Sequence, residues 1–484
     1  MRRVEVRRGS YVDSVALMQV SRRVADLDGV TAALVAMATD LNLELLATMG
    51  FEPVEAGPNE MLVAVHAESD EALDSARAEV DAALAQASRP AASGFGSAPP
   101  PVTVRAAAAR SEATLALLST PGDYAFADAV EAVQAGLHTM VFSDNVPLEQ
   151  EVLLKDEADR AGVLVMGPDC GTAVVGGVGL GFANVVRPGP VGIVAASGTG
   201  AQHLMALLDG AGVGVSHCLG VGGRDLSAAV AGRSTLRALD LLSDDEGTEQ
   251  IVVVSKPPDP AVADAVRTHA ASLGTPVTFG LLAPGQPDLT ALAQTVVEAL
   301  GHTWAAPEHW TGAPVRRAGH LRGLFAGGTL CDEAMVIAAE ALGRVASNIP
   351  LDPGWALGDD LASIGHTMID FGDDRLTRGR PHPMIDGAVR ADRVRVEADD
   401  PTTGVLLLDV ELGLGAEADP AALLAPAIRH AVAAQVPVVV SVTGTRDDPQ
   451  GLREQVAALH QAGAGVYLSN AAATRAALDL LEDP

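Results

Sequence analysis

The stretch from Pro190 to Ala211, PVGIVAASGTGAQHLMALLDGA, decides the fold. Its apolar run over 191–195 reads as a buried strand, Ser197-Gly198-Thr199-Gly200 as a tight turn, and 201–211 as an apolar helix. A strand running straight through small residues into a helix is half of a βαβ unit, the building block of a parallel sheet covered by helices. Small residues at such a turn also expose backbone N–H groups at the positive end of the helix, which suits a phosphate or carboxylate. The same turn is the ordinary way to make a short βα connection, so alone it does not decide between the two.

The rhythm extends in both directions. Upstream, over 102–187, strands at 114–119, 138–143 and 162–166 alternate with helices at 123–135 and 148–161. Downstream, strands at 251–255 and 277–280 continue the second sheet to about 304, and Gly220-Val221-Gly222-Gly223-Arg224-Asp225 forms a loop at a strand end. Ligands on such sheets bind beyond the carboxyl ends of the strands. A Pro/Trp/His segment over 305–317 reads as a linker, and a last α/β unit fills 318–484. It opens with a strand at 323–325, the turn Ala326-Gly327-Gly328-Thr329 and a helix at 330–342. It continues with a strand at 405–410, a helix at 420–433, a strand at 437–442 and the turn Thr443-Gly444-Thr445-Arg446. Two Gly/Thr turns thus repeat the anion-cradle chemistry of Ser197.

Residues 1–86 read as a small α+β unit, with strands at 4–12, 31–38 and 61–66 and helices at 13–27, 40–49 and 69–86; Asp13 and Ser69 occupy cap positions. The segment 87–101, ASRPAASGFGSAPPP, is too poor in apolar residues to fold and reads as a linker. Between the last unit's first helix and its next strand lies GHTMIDFGDDRLTRGRPHPMID, 365–386, dense in His, Arg and Asp. It reads as a strand at 367–371 running into an ordered loop, and it is where chemistry is expected; the plainer reading is a surface loop whose charges pair with one another.

Composition bounds the function. Sixty-two acidic against thirty-two basic residues give a net charge of −30, which argues against nucleic acid and anionic lipid as partners, so an anionic substrate must be met by local donors. Cys170, Cys218 and Cys331 lie far apart without ligand spacing, so neither a zinc site nor a disulfide framework is expected. No run of about eighteen uncharged apolar residues exists to span a membrane, and MRRVEVRRGSYVDS is followed by no apolar signal segment. A soluble cytoplasmic protein is expected.

With these motifs the chain resembles the FdrA family, relatives of succinyl-CoA synthetase. Met166-Gly167-Pro168-Asp169-Cys170-Gly171 is similar to the GPNCPG of that enzyme's α subunit, 190–200 to its KVGIVSRSGT and 220–225 to its GIGGD. The last unit resembles the CoA-ligase part of the β subunit: 324–333 stands at its Gly-rich turn, Phe371-Gly372-Asp373 near its LDVGG, and 436–446 at its PVVVRLEGTN. GHTMIDFGDD and GRPHPMID, with AGGTLCDEA upstream, are specific to the FdrA branch. The likeness covers 105–484 and leaves the first 100 residues outside it. It implies an α/β architecture in which the N-terminal α+β unit precedes a Rossmann-like CoA-binding-type domain and two flavodoxin-like, succinyl-CoA synthetase-like domains.

Three departures shape the functional expectation. The synthetase carries its phosphoryl group on a histidine of a GHAGA segment, whereas 281–300 holds no histidine and His302 reads as a helix-end residue. No ATP-grasp half and no GxxxxGK[ST] is present, and the first Gly-rich βα turn of the CoA-binding sheet has no counterpart, because 102–119 enters the sheet past it. No metal or cofactor is therefore expected, with coenzyme A left open. The resemblance implies a subunit of an oxamate carbamoyltransferase of purine and allantoin breakdown, moving a carbamoyl group between phosphate and oxamate. Such a transfer requires anion cradles, a cation on the phosphate and donors on the carbonyl, but no redox cofactor or nucleotide. On this reading Ser197, Gly198, Thr199, Gly200, Gly222, Gly223, Gly327, Gly328, Thr329, Gly444 and Thr445 hold the anionic ends of carbamoyl phosphate, oxamate or another acyl phosphate. Arg378 and Arg380 neutralise negative charge, His366 or His382 donates to the carbamoyl oxygen or moves a proton, and Asp370 and Asp373 orient the imidazoles. Cys170 is either an acyl-accepting nucleophile or a thiol packed under a turn. The alternatives are a nucleotide-dependent acyl-CoA ligase working with a partner subunit, and a non-catalytic scaffold in which 1–86 is a docking module. A homo-oligomer or partner subunits are expected in every case.

Overall fold

The computed structural model describes residues 1–8, 14–87, 100–312, 315–377 and 380–482. The N-terminal unit contains β1 (Arg2–Arg7), α1 (Ser14–Ala25), β2 (Val30–Met37), α2 (Asp40–Thr48), β3 (Met61–Ala67) and α3 (Asp70–Ala87), with its antiparallel sheet in the order β1-β3-β2. All but one residue of β3 are buried, and α1 and α3 pack on it through Leu17, Val24, Ala76 and Val80. Most of the expected linker lies outside the described residues, as do the end of the strand expected at 4–12 and the proposed cap Asp13.

Next come α4 (Val104–Ala108), β4 (Leu115–Leu118), α5 (Gly122–Gln134), β5 (His138–Val141), α6 (Leu148–Ala161) and β6 (Val165–Met166), which make a three-stranded parallel sheet, β4-β5-β6. The hairpin that follows, β7 (Thr172–Val175) and β8 (Val178–Gly181), was not expected from the sequence. Gly176 and Gly177, at φ 57° and 81°, form its two-residue turn. This hairpin leaves the first sheet and pairs β7 antiparallel with a strand of the next.

That next sheet is built from β9 (Pro188–Ala196), α7 (Gly198–Gly210), β10 (Val215–Gly220), α8 (Arg233–Ser243), β11 (Gln250–Ser255), α9 (Pro260–Ala270), β12 (Val277–Leu281) and α10 (Leu289–Ala299). Its order is β12-β11-β9-β10-β7-β8, and the first four strands are parallel. The last unit contains β13 (His309–Trp310), β14 (Arg317–Ala318), β15 (His320–Phe325), α11 (Gly328–Leu342), β16 (Ala346–Ser347), β17 (Thr367–Asp370), α12 (Asp374–Thr377), α13 (Ala388–Asp399) and β18 (Thr403–Glu411). It closes with α14 (Pro420–Ala433), β19 (Val438–Thr443), α15 (Leu452–Gln461), β20 (Gly465–Tyr467), α16 (Asn470–Asp479) and β21 (Leu481–Glu482). Its sheet runs β13-β20-β19-β18-β15-β17-β16, parallel except for β13. β9, β11 and β18 are continuous apolar runs because a parallel sheet is covered on both faces.

The two larger sheets are not separate bodies. One apolar core runs from Ile193, Leu204 and Leu208 of the first to Phe325, Leu330 and Met335 of the second. Buried hydrogen bonds reinforce the junction: Asn470 N–H donates to His203 Nε2 (3.2 Å), His203 Nδ1 meets Thr443 Oγ1 (2.8 Å), and Asn184 Nδ2 donates to Asp448 (2.8 Å). Burial pushes the His203 imidazole down to about 4, so it joins the halves as a neutral ring.

Candidate functional site

In each large sheet the chain leaves a central strand, β9 or β15, through a Gly-rich turn, and the strands that follow add on opposite sides of it: β10 and β11 flank β9, and β17 and β18 flank β15. Both turns are therefore switch points, where a crevice opens beyond the strand ends. The fold brings the two crevices together, with the N-termini of α7 and α11 in contact. Ser197 caps α7 by accepting the Gly200 N–H (3.0 Å), and its Oγ lies 2.5 Å from Thr329 Oγ1 in the first turn of α11.

Glycine allows this approach. A Cβ on Gly200 would lie 2.9 Å from Thr329 Cγ2, and one on Gly327 would lie 3.0 Å from Thr199 Cβ, so each turn seats a threonine of the other. The sequence reading had the helices beginning at 201 and 330. In fact α7 starts at Gly198 and α11 at Gly328, so the glycine turns are first helical turns and their N–H groups belong to the two positive helix ends.

Above this contact lies a cavity of about 1270 Å³ walled by all four units. Lys256, just past β11, reaches the N-terminus of α11. Its Nζ lies 3.7 Å from Asp332 Oδ2, and a Cβ on Gly328 would sit 3.1 Å from Nζ and 2.6 Å from Asp370 Oδ2. Burial pulls the Lys256 ammonium down, but the carboxylates of Asp332, Asp370 and Asp169 outweigh it and leave its pKa above the ordinary lysine value. Burial raises Asp370 to about 7 against the opposing pull of Lys256 and the Gly372 N–H, and Asp332 to about 6 against Lys256. Asp169 is raised to about 7 by burial and then by Asp374 and Asp144. The cavity thus holds one lysine among carboxyls that gain protons near neutrality.

Ser197, Gly198, Thr199, Gly222, Gly223, Gly328, Thr329, Asp370, Arg380 and His382 all line this cavity. The other expected residues divide. The Gly327 N–H is taken by Asp409 (2.8 Å) and is closed to a ligand, and Gly200 serves the turn-to-turn packing. Thr445 donates through its hydroxyl to Val185 O (2.7 Å) and through its N–H to Asp448 (2.7 Å), and neither Gly444 nor Thr445 is on the cavity wall, so this turn joins the halves instead of cradling an anion. His366 precedes β17 and accepts the Leu321 N–H (3.1 Å). It is a full strand, about 13 Å, from Asp370 at the carboxyl end, so Asp370 cannot orient it. Burial and then Arg390 push His382 down to about 4, and its Nδ1 accepts the Met384 N–H (3.2 Å), so it is a neutral donor and no proton carrier. Asp373 pairs with Arg375 (3.0 Å). Arg378 lies outside the described residues. Cys170 is a packed thiol, pushed up to about 12 chiefly by burial, which removes it as a nucleophile. His302 lies past α10 with its N–H on Val297 O, at the helix end expected for it.

Lys256, Asp169 and Asp332 were missed, yet the sequence carried a signal for the first. The chain has two lysines, Lys155 and Lys256, among its thirty-two basic residues. Lys155 is buried, donating to Glu151 (2.9 Å), Asp225 (2.7 Å) and Val221 O (2.9 Å), and so pins the loop that carries Gly222 and Gly223 to the cavity wall. The N-terminal unit closes another side: Arg22 of α1 donates to Ile385 O (2.7 Å) and pairs with Glu417, and Met18 packs against Phe182, Met384 and Ile385.

Comparison with known proteins agrees with this architecture. Residues 324–480 match the family described as CoA-ligase, and residues 1–100 match one described as AllF, heavy metal-associated domain. YahF of Escherichia coli (strain K12) is 37% identical over 95% of this chain and 95% of its own length. A succinate–CoA ligase [ADP-forming] subunit alpha 2 of Archaeoglobus fulgidus is 24% identical over 52% of this chain and 78% of its own length. The solved acetyl-coenzyme A synthetase 1 of Ca. Korarchaeum cryptofilum covers 81% of this chain and 87% of its own at 16% identity, with a TM-score of 0.31 that is too low to carry an argument. These matches place the chain in the class of succinyl-CoA synthetase-like, CoA-ligase-like proteins. Within that class the chain belongs to the FdrA family, with YahF as a relative along nearly its whole length.

The description of the N-terminal family implies a heavy metal, and the residues do not fit one. Residues 1–100 contain no cysteine and a single histidine, His66, and no metal-holding cluster of His, Cys, Asp and Glu occurs among the described residues. Among those residues no helix is long and apolar enough to cross a membrane.

Proposed function

We propose that this chain handles an acyl phosphate and serves as a transferase subunit moving a carbamoyl group between phosphate and oxamate. One observation carries the reading: the N-termini of α7 and α11 converge, with the Ser197 and Thr329 hydroxyls 2.5 Å apart, beside Lys256. Two helix ends and an ammonium supply fixed positive potential where the phosphate of an acyl phosphate carries its charge. The hydroxyls and the first-turn N–H groups of Gly198 and Gly328 are the available donors, and Arg380 on the cavity wall suits the carboxylate of oxamate. The cavity's lining histidine, His382, is neutral and already accepts a backbone N–H, which fits transfer without a phosphohistidine.

The second reading is an acyl-CoA ligase that works with a nucleotide-binding partner. It is favoured by the CoA-ligase match and by a cavity far larger than carbamoyl phosphate and oxamate fill together. Thermal unfolding with carbamoyl phosphate, oxamate, phosphate, CoA and ATP separates the two, since a ligand of the native state raises the melting temperature. The transferase reading expects stabilisation by carbamoyl phosphate or phosphate that is lost in Lys256→Met and Thr329→Val. Stabilisation by CoA or ATP alone would overturn it in favour of the ligase.

A further inference from the structure

The cavity presents a charge problem to any phosphate-type anion. Its cation at the helix ends, Lys256, is already matched by Asp332 and Asp370. Asp169, Asp144 and Asp374 add negative charge on the facing loops. An anion placed at Gly198 and Gly328 would sit against Asp370 Oδ2, which lies 2.6 Å from the position of a Gly328 Cβ; Asp409, the other carboxylate at the α11 N-terminus, is engaged by the Ala326 and Gly327 N–H groups and by Arg390. Two like charges at that separation are not both held in a buried site. Either the anion is refused or a proton arrives with it.

Asp370 is built to stay in place through that change. Its backbone is gripped on both sides by Asn348, which accepts the Asp370 N–H (2.9 Å) and donates to its carbonyl (2.8 Å), while Oδ1 accepts the Gly372 N–H (2.8 Å). Oδ2 is left toward the cavity and Lys256. Resting on the acyl-phosphate reading above, we propose that Asp370 is the proton carrier of this site: it binds a proton when a phosphate-type anion enters the cradle, and donates it to the phosphate oxygen that leaves during transfer. In that step the carbonyl carbon–oxygen bond to phosphate breaks, and its electron pair goes to the phosphate oxygen, which takes the Asp370 proton. The bond from the acceptor's nucleophilic nitrogen to the carbonyl carbon forms, and the proton that this nitrogen sheds restores Asp370. No oxidant, metal or nucleotide is needed for the balance.

Of the groups around Asp370, Asp169 shares its range at about 7 but stands on the facing loop, away from the α11 N-terminus that Asp370 Oδ2 abuts. Lys256 stays charged; Cys331 of α11 is a buried thiol raised well above its usual range by burial; and His382, beyond Gly372, is neutral at about 4. Asp332, 3.7 Å from the Lys256 ammonium, titrates lower at about 6, and Asp373 is held by Arg375. Asp370 at about 7 is thus mostly ionised at pH 8 in the free protein and has a proton to gain.

Calorimetric titration of the full chain with sulfate, whose charge is constant between pH 6 and 8, tests this in two buffers of different ionisation heat. At pH 8 the wild type takes up about one proton per sulfate bound. Asp370→Asn, which removes the titration but keeps the shape, binds sulfate with most of the uptake gone, whereas Asp332→Asn and Asp169→Asn keep most of it. Uptake that survives in Asp370→Asn, or sulfate binding without uptake in the wild type, overturns the assignment and leaves the anion site standing. Failure of both wild type and Asp370→Asn to bind sulfate overturns the acyl-phosphate reading together with it. Since Lys155 is fully buried, reductive ¹³C-methylation labels Lys256 as the accessible lysine, and its resonance provides an independent readout: it shifts with a midpoint near pH 7 in the wild type, and the amplitude of that shift falls by more in Asp370→Asn than in Asp169→Asn.

Discussion

Lys256→Met removes the ammonium around which Asp332, Asp370 and Asp169 are arranged. At the 3.7 Å separation from Asp332, an effective dielectric of about 20 gives an attraction of about 4 kcal/mol. The Lys256 side chain is 39% exposed, so solvent screening cuts this, and a net loss of about 2 kcal/mol is expected at pH 8. For a chain of 484 residues that corresponds to a fall in melting temperature of about 2 °C. The pH dependence is the stricter part. Asp332 and Asp370 have folded-state pKa values raised to about 6 and about 7, so their ionisation costs stability as pH rises from the ordinary carboxylate range through those values. Lys256 softens that cost, and its removal steepens it. Melting curves of wild type and variant from pH 5.5 to 8.5 should therefore diverge upward in pH, with the smallest difference at pH 5.5, where both carboxyls are mostly protonated. A difference that is constant across the range, or larger at pH 5.5, would refute the electrostatic account of this site.

Gly200→Ala places a methyl 2.5 Å from Ser197 Oγ and 2.9 Å from Thr329 Cγ2, so overpacking of about 2 kcal/mol is expected; Thr329→Ser should recover part of the lost melting temperature, and an unaffected Gly200→Ala would disprove the interlocking of the two turns. His366→Ala should leave sulfate affinity unchanged, because the ring sits at the wrong end of β17, whereas Thr329→Val should weaken it about tenfold, equivalent to roughly 1.4 kcal/mol; the reverse pattern would move the site. Cys170, Cys218 and Cys331 are all buried, so a thiol reagent should label none of them in the native chain and all three once it is unfolded, and a fast-reacting native thiol would reopen Cys170 as a nucleophile.

Much of the fold was open to reading because its signals are local. The run over 191–195 followed by Ser197-Gly198-Thr199-Gly200, and the helices at 148–161 and 420–433, carry their periodicity and turn chemistry in a few adjacent residues. The hairpin at Gly176-Gly177 was missed, and the strand β10 was read only through the loop at its end, without bounds. The first is a short two-residue turn between strands of four residues, and the second, VSHCLG, mixes polar residues into a strand buried mainly on its later half. The charge density of 365–386 drew attention to a stretch that the fold divides: Asp370, Arg380 and His382 reach the cavity, while His366 stays at the far end of the strand.

The sequence by itself determined the α/β units, the Gly/Ser/Thr turns at their strand ends, the acidic balance, and the FdrA likeness. Each of these follows from residues near one another in the chain or from their totals. Only the tertiary structure decided which turns meet. The pairings of Ser197 with Thr329, and of Lys256 with Asp332 and Asp370, depend on sheet order and on two sheets sharing one core, and they join residues 70 or more positions apart. The same three-dimensional packing set the protonation of the carboxyls, because desolvation belongs to the cavity that surrounds a group and not to its neighbours in sequence.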